Sequence, residues 1–122
     1  MGFIKIMRVL LLIILFSPLT VLGEEIDGSG WVFEENDGDK KIILFDPDKT
    51  FTYINITSSS GNSGRTFSGT RFQWSFDGTT VVLNFNNNFR LCSLNLKGSD
   101  TMIGTCVNEK GVADSIKGKL IE

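Results

Sequence analysis

An all-β fold of eight antiparallel strands in up-and-down order, closed into a barrel and stapled by one disulfide, is what this sequence of 122 residues predicts. Three observations carry the prediction. Short apolar-rich segments recur between turn residues at the spacing of about 8 to 12 residues that marks sandwiches and barrels. One hairpin, from Phe72 to Phe85, alternates so regularly that it defines a dry and a wet face. That dry face then propagates from strand to strand until Cys92 and Cys106 fall opposite each other. After residue 23 no stretch keeps the ~3.6-residue period of an amphipathic helix for three turns, and the connections are mostly too short for parallel crossovers.

Residues 1–23 read as a cleaved export signal: Lys5 and Arg8, an unbroken apolar run from Val9 to Phe16, Pro18, and a small-residue exit at Val21-Leu22-Gly23. A permanent membrane anchor is the alternative, but Val9 to Leu22 is 14 residues, against about 20 needed to span a bilayer. Glu24 would begin the mature chain, and since it is not cysteine, lipid anchoring there is not expected. Residues 24–122 then form one domain, free in the periplasm or outside the cell. Loss of Lys5 and Arg8 leaves 10 basic against 14 acidic residues, a formal charge of −4. The basic residues are scattered, which argues against nucleic acid and anionic membrane surfaces as partners.

The predicted strands cover 30–36, 40–46, 50–57, 66–76, 79–86, 89–97, 101–108 and 112–121. Between them lie Asp37-Gly38-Asp39, Asp46-Pro47-Asp48-Lys49, Asp77-Gly78, Asn87-Asn88, Gly98-Ser99-Asp100 and Glu109-Lys110-Gly111, all with turn chemistry. In the central hairpin, Phe72/Trp74/Phe76 and Val81/Leu83/Phe85 flank Asp77-Gly78. Reflection about a two-residue turn sets Trp74 opposite Val81 and Phe72 opposite Leu83. The next reflections pair Leu83 with Cys92, Val81 with Leu94, Cys92 with Cys106, Leu94 with Gly104 and Leu96 with Met102, and bring Ile116 and Gly118 to the same face. In the N-terminal half, Lys40 to Phe45 is apolar in both phases. Pairing Phe45 with Phe51, Ile43 with Tyr53 and Trp31 with Phe45 gathers the aromatics inside and leaves Ile42, Leu44, Ile54 and Ile56 as an outward apolar patch. Closure into a barrel would remove both sheet edges; a two-sheet sandwich is the alternative.

The two cysteines suit an oxidising compartment, and their bridge would have a Cα separation of about 4.4–6.8 Å. A redox-active dithiol is the competing reading, but it lacks Cys-x-x-Cys spacing and a neighbouring histidine. The chain contains no histidine, so the commonest general base and zinc ligand is missing. Asp37/Asp39 and Asp46/Asp48 have the composition of calcium pairs, but they sit where tight turns want aspartate. Asp114 turns inward beside Cys106, or lies wet at the barrel mouth. The longest connection, Ser58 to Arg65, is polar and glycine-rich, either a functional loop or a tolerated linker. Asn55-Ile56-Thr57 is a formal glycosylation sequon. No catalysis, cofactor or metal is expected.

Gly30-Trp31, Phe45-Asp46-Pro47-Asp48-Lys49-Thr50-Phe51, Gly69 leading to Trp74, Val81-x-Leu83-x-Phe85 and Met102-x-Gly104-Thr105 together resemble the small exported lipocalin-like (calycin) barrels, over essentially the whole chain after residue 23. In lipocalins one residue separates the first-strand glycine and tryptophan, and the chain is longer. Ser63-Gly64-Arg65-Thr66-Phe67, followed by Trp74 and Gly78, is similar to the serine-glycine loop of periplasmic lysozyme-inhibitor barrels, which enters the enzyme's cleft. That family usually has tyrosine at the position of Phe67, and its lysine has no clear counterpart here.

The leading functional expectation is a monomeric exported module that binds a small apolar or aromatic ligand on its dry face. The candidate contacts are Trp31, Phe33, Phe45, Phe51, Tyr53, Phe72, Trp74 and Phe85. The competing reading of the same aromatics is core that fills a narrow lumen by itself. The alternative function is a protein-binding or inhibitor module acting through Ser60, Asn62, Ser63 and Arg65, or through the outward apolar patch.

Overall fold

The computed structural model describes residues 26–59 and 61–121. The segment read as an export signal and the loop residue Ser60 lie outside the described residues. Nine strands form one antiparallel sheet: β1 (Gly30–Glu35), β2 (Lys40–Phe45), β3 (Phe51–Thr57), β4 (Thr66–Phe67), β5 (Phe72–Phe76), β6 (Thr80–Phe85), β7 (Arg90–Lys97), β8 (Thr101–Asn108) and β9 (Ala113–Leu120). The spatial order is β4-β3-β2-β1-β9-β8-β7-β6-β5. Each strand neighbours its successor except at β4/β5, and the first strand pairs with the last, Phe33 opposite Gly118. The meander therefore curls on itself and stays open in the middle of the chain. It is a half-barrel, neither the closed eight-stranded barrel nor the sandwich that the sequence suggested.

The ninth strand comes from a break in the segment expected over 66–76. Gly69, with φ of 122°, and the turn bond from Phe72 N–H to the Gly69 carbonyl divide it into β4 and β5. A two-residue β4 cannot span the seam. Backbone contact across the seam is made beside it, through the Thr50–Gln73 bridge and a bond from Trp74 N–H to the Lys49 carbonyl at 2.9 Å.

From β6 to β8 the observed register is the one read from the sequence, with Leu83 facing Cys92, Cys92 facing Cys106, Leu94 facing Gly104 and Leu96 facing Met102, and on β9 Ile116 and Gly118 face Gly104 and Met102. Two hairpins differ by two residues. Trp74 faces Leu83 and Phe72 faces Phe85, because the turn is four residues long. Asp77 Oδ1 accepts the Thr79 and Thr80 N–H groups at 2.9 and 2.8 Å, which fixes the four residues between the paired Phe76 and Val81. Trp31 faces Ile43 rather than Phe45, and Phe33 faces Lys41. A shift of two conserves side-chain direction, so the inward face is unchanged. Lys41, of the same parity as Ile43 and Phe45, lies on the inner wall in either register, and the shift sets Phe33 opposite it.

The Asn86-Asn87-Asn88 turn has all three residues at positive φ, a region asparagine tolerates better than most side chains. Asn84 fixes it: its side-chain amide donates to Asn88 Oδ1 and its Oδ1 accepts the Asn88 N–H, both at 2.7 Å.

The core fills the end of the half-barrel away from this turn. Trp31, Phe33, Ile43, Phe45, Phe51, Trp74, Val81, Leu83, Leu94 and Met102 are buried, and Ile26 packs with them. Both indoles have their N–H satisfied, Trp31 by Ser29 Oγ at 2.8 Å and Trp74 by the Asp46 carbonyl at 3.0 Å. Gly118 lies under the Phe33 ring, where a Cβ would come within 2.5 Å.

Cys92 and Cys106 form the disulfide, with Cα atoms 3.9 Å apart, below the expected range. The strands are pinched there. At Gly104, two residues away, a Cβ would stand 1.9 Å from the Ser93 carbonyl oxygen, so β7 and β8 approach this closely only because position 104 has no side chain. Outside, Leu44 and Ile56 are exposed while Ile42 and Ile54 are half-buried, as the alternation required.

Candidate functional site

The inward parity of three strands ends in charge. On β1 the sequence Trp31, Phe33 is followed inward by Glu35; on β2, Phe45 and Ile43 lead to Lys41; on β7, Leu94 and Cys92 lead to Arg90. All three side chains reach the same end of the half-barrel, beside the open seam. Their side chains are only 7%, 9% and 18% exposed for Glu35, Lys41 and Arg90. Glu35 Oε1 lies 3.5 Å from Lys41 Nζ and in direct contact with Arg90 Nη1. The contacts are ionic, since Oε1 has no hydrogen bond of ordinary geometry.

Above this floor is a cleft of about 560 Å³, bordered by the β1–β2, β3–β4, β4–β5 and β6–β7 connections. Its apolar walls are Tyr53, Phe67, Phe72, Phe85 and Phe89. Tyr53 stacks on Phe67 with centroids 4.8 Å apart and planes 17° apart, and meets Phe72 and Phe85 edge-on at 5.4 and 5.3 Å. Phe89 is 52% exposed at the tip of its turn. Lys41 Nζ lies 5.3 Å from the Tyr53 ring and 5.2 Å from the Phe85 ring, within cation–π range.

Burial, helped by the nearby Arg90 charge, holds the Lys41 ammonium below its ordinary value, with Glu35 and Asp39 pulling the other way. Burial also raises the Tyr53 phenol, an effect that Glu35 reinforces and Arg90 opposes. A β-bulge between Lys40 and Lys41 leaves Ile56 unpaired, so Lys40 faces Thr57 while Lys41 faces Asn55.

The described residues of the loop after β3 are tied by hydrogen bonds. Asn55 N–H donates to the Arg65 carbonyl at 3.0 Å, and Gly64 N–H donates to the Asn55 carbonyl at 2.7 Å. Ser63 Oγ accepts the Ser58 N–H at 3.0 Å, and Asp39 Oδ1 accepts the Ser59 N–H at 2.9 Å. Ser58 and Asn62 line the cleft, and Ser63 and Arg65 are exposed.

Of the eight aromatic residues singled out from the sequence, Tyr53, Phe72 and Phe85 line the cleft. Trp31, Phe33, Phe45, Phe51 and Trp74 are packed core, at most 3% exposed, and do not reach it. Asp114 faces Cys106, is half-buried and lies away from the cleft lining. Glu35, Lys41 and Arg90 were not singled out, Asn55 was read as part of a glycosylation sequon, and Phe67 as part of the resemblance to the inhibitor loop. The signal for three of them was present in the alternation, which simply continues past the last apolar residue.

Glu35, Asp37 and Asp39 bring carboxylate oxygens within 4.8 Å of one another. Glu35 is ion-paired, Asp37 accepts the Asp39 N–H at 3.0 Å and Asp39 holds Ser59, so each acid has a structural role already.

No family model matches the chain, and no curated protein matches it. Among solved structures the chain is similar to a crystal structure of a protein from Burkholderia vietnamiensis provisionally assigned as a beta-lactamase. The likeness spans 79% of this chain and 93% of that chain, with 12% identity and a TM-score of 0.57. What they share is the curled antiparallel fold. The disulfide, and the fact that no helix among the described residues is long and apolar enough to cross a membrane, are compatible with an extracellular or periplasmic setting.

Proposed function

We propose that this protein is an exported binding module that holds a small aromatic or apolar ligand in the cleft between β3/β4 and β5, in the manner of a lipocalin-like barrel with an open side. The observation that carries the reading is the division of the aromatics. One set fills the far end solidly, while Tyr53, Phe67, Phe72, Phe85 and Phe89 wall a cleft of about 560 Å³. A largely apolar concavity with a few converging polar groups is the usual form of a small-molecule site. Nothing in this reading requires catalysis: the chain has no histidine and no Ser-x-x-Lys sequence, so the name attached to the structural neighbour finds no matching motif here. The experiment is calorimetric titration of residues 24–122 with a panel of aromatic and alkyl compounds, repeated on Phe67→Ala. Binding that weakens about tenfold in Phe67→Ala supports the cleft; equal affinity in the variant removes it.

Protein binding is the second reading, favoured by the hydrogen-bonded construction of the 58–65 loop and by Phe89 beside the same mouth. Hydrogen bonds that already hold part of a loop reduce the conformational freedom it gives up when it enters a partner's cleft. Inhibition assays against lysozymes and secreted proteases test it, and deletion of residues 59–63 must abolish any interaction found if the loop carries it.

A further inference from the structure

Resting on the cleft reading above, we infer that the ligand is an uncharged ring system with a carboxamide or lactam edge, its ring against Tyr53 and Phe67 and its adjacent donor and acceptor read by the side-chain amide of Asn55. Asn55 occupies the next inward position of β3 after Tyr53, is 9% exposed and lines the cleft. Its main chain is fully committed: the N–H donates to the Arg65 carbonyl at 3.0 Å and the carbonyl accepts from Gly64 N–H at 2.7 Å, while Lys41 stands opposite it on β2. The side-chain amide, by contrast, makes no hydrogen bond among the described residues. Burying an amide without a partner is costly, so a ligand that supplies the partner is correspondingly favoured.

The chemistry of asparagine selects the edge. Its amide offers donors and an acceptor side by side, and the group that answers both is another donor–acceptor pair, as in a carboxamide or a lactam. A ketone answers only the NH2. A carboxylate also answers the NH2 but sets a second oxygen against the Asn55 carbonyl oxygen. Charge does not reverse that preference, because Glu35, Asp37 and Asp39, with carboxylate oxygens within 4.8 Å of one another, stand against Lys41, Arg71 and Arg90 around the cleft. Lys41 and Arg90 are moreover already held to Glu35. Inward positions two residues apart on a strand are separated by about 7 Å. A ring lying on the stacked Tyr53–Phe67 pair therefore reaches Asn55 with a substituent on its edge rather than with its face.

The test titrates three compounds of one shape into the folded protein, residues 24–122, at pH 7: 2-naphthamide, 2-acetylnaphthalene and 2-naphthoate. The amide should bind tightest, about tenfold over the ketone and over the carboxylate. In Asn55→Leu the amide should lose its advantage over the ketone, while the urea midpoint without ligand should equal or exceed that of the parent, since an unpartnered amide has been exchanged for an apolar group of similar size. A lower midpoint in Asn55→Leu, or an amide preference that survives in it, overturns the role given to Asn55. A ketone or carboxylate that binds the parent as tightly as the amide overturns the inference and leaves the cleft reading standing. Failure of all three to bind removes the cleft reading for aromatic ligands, and this inference with it.

Discussion

Replacing Glu35 by alanine should cost far more stability than removing either of its partners' surface equivalents, and the structure sets the size. Exposed ion pairs contribute about 0–1 kcal/mol. Removing one partner of a buried cluster costs about 3–5 kcal/mol, because the remaining charge is left uncompensated. Here the side chains of Glu35 and Lys41 are 7% and 9% exposed, which puts the cluster in the second class, while Arg90 at 18% retains some contact with the cleft. We expect a loss of about 3 kcal/mol for Glu35→Ala, a large part of the ~5–15 kcal/mol that holds a domain of this size together. Lys41→Met should be within about 1 kcal/mol of the parent, since Arg90 still answers Glu35 and a buried ammonium has been exchanged for an apolar side chain. Urea denaturation followed by tryptophan fluorescence measures both, because Trp31 and Trp74 are buried reporters of the core. A loss below about 1 kcal/mol in Glu35→Ala, or an equal loss in the two variants, would refute the view that Glu35 is the buried carboxylate to which both Lys41 and Arg90 are held.

Lys41 also gives stability a pH dependence. Its folded value lies below its unfolded one, so between the two the unfolded chain binds more protons and stability rises with pH. Denaturation at a series of alkaline pH values should show that rise in the parent and lose it in Lys41→Met. Replacing both cysteines by serine should cost about 3 kcal/mol for a bridge spanning 14 positions, and thiol titration of the parent should find no reactive thiol. Gly104→Ala should cost about 3 kcal/mol, since its Cβ meets the Ser93 carbonyl and Leu94 Cα rather than a side chain that can move. The same change should cost less without the disulfide, where β7 and β8 can separate, a coupling that a double-mutant cycle detects.

The strands, their faces and the cysteine pairing were legible because the strand period is two and every turn keeps inward residues inward. Phe72 and Trp31 show the limit. Their partners moved by two positions because turn length depends on hydrogen bonds such as those accepted by Asp77, which composition does not specify. The open seam was hidden for a related reason: Gly69 interrupts a segment whose flanks, Thr66-Phe67 and Phe72 to Phe76, both read as strand. The cleft was less legible than the fold. Charged residues in a half-wet sheet are normally outward, so nothing in the residue types marks Glu35, Lys41 and Arg90 as site residues, although their parity is inward. Only the register of β1 on β2, with Phe33 facing Lys41, together with the curl that carries Arg90 to Glu35, brings them together.

The central claim, that the charged aromatic cleft is where this protein takes its ligand, has a direct reporter in Tyr53, the single tyrosine of the chain. Its ring gives one set of aromatic NMR signals, and the indoles of Trp31 and Trp74 in the packed core serve as internal controls. During titration with 2-naphthamide the Tyr53 ring signals should shift and saturate with the calorimetric affinity while both indole N–H signals stay in place. Binding that moves the indoles and leaves Tyr53 unchanged would contradict the assignment of the cleft.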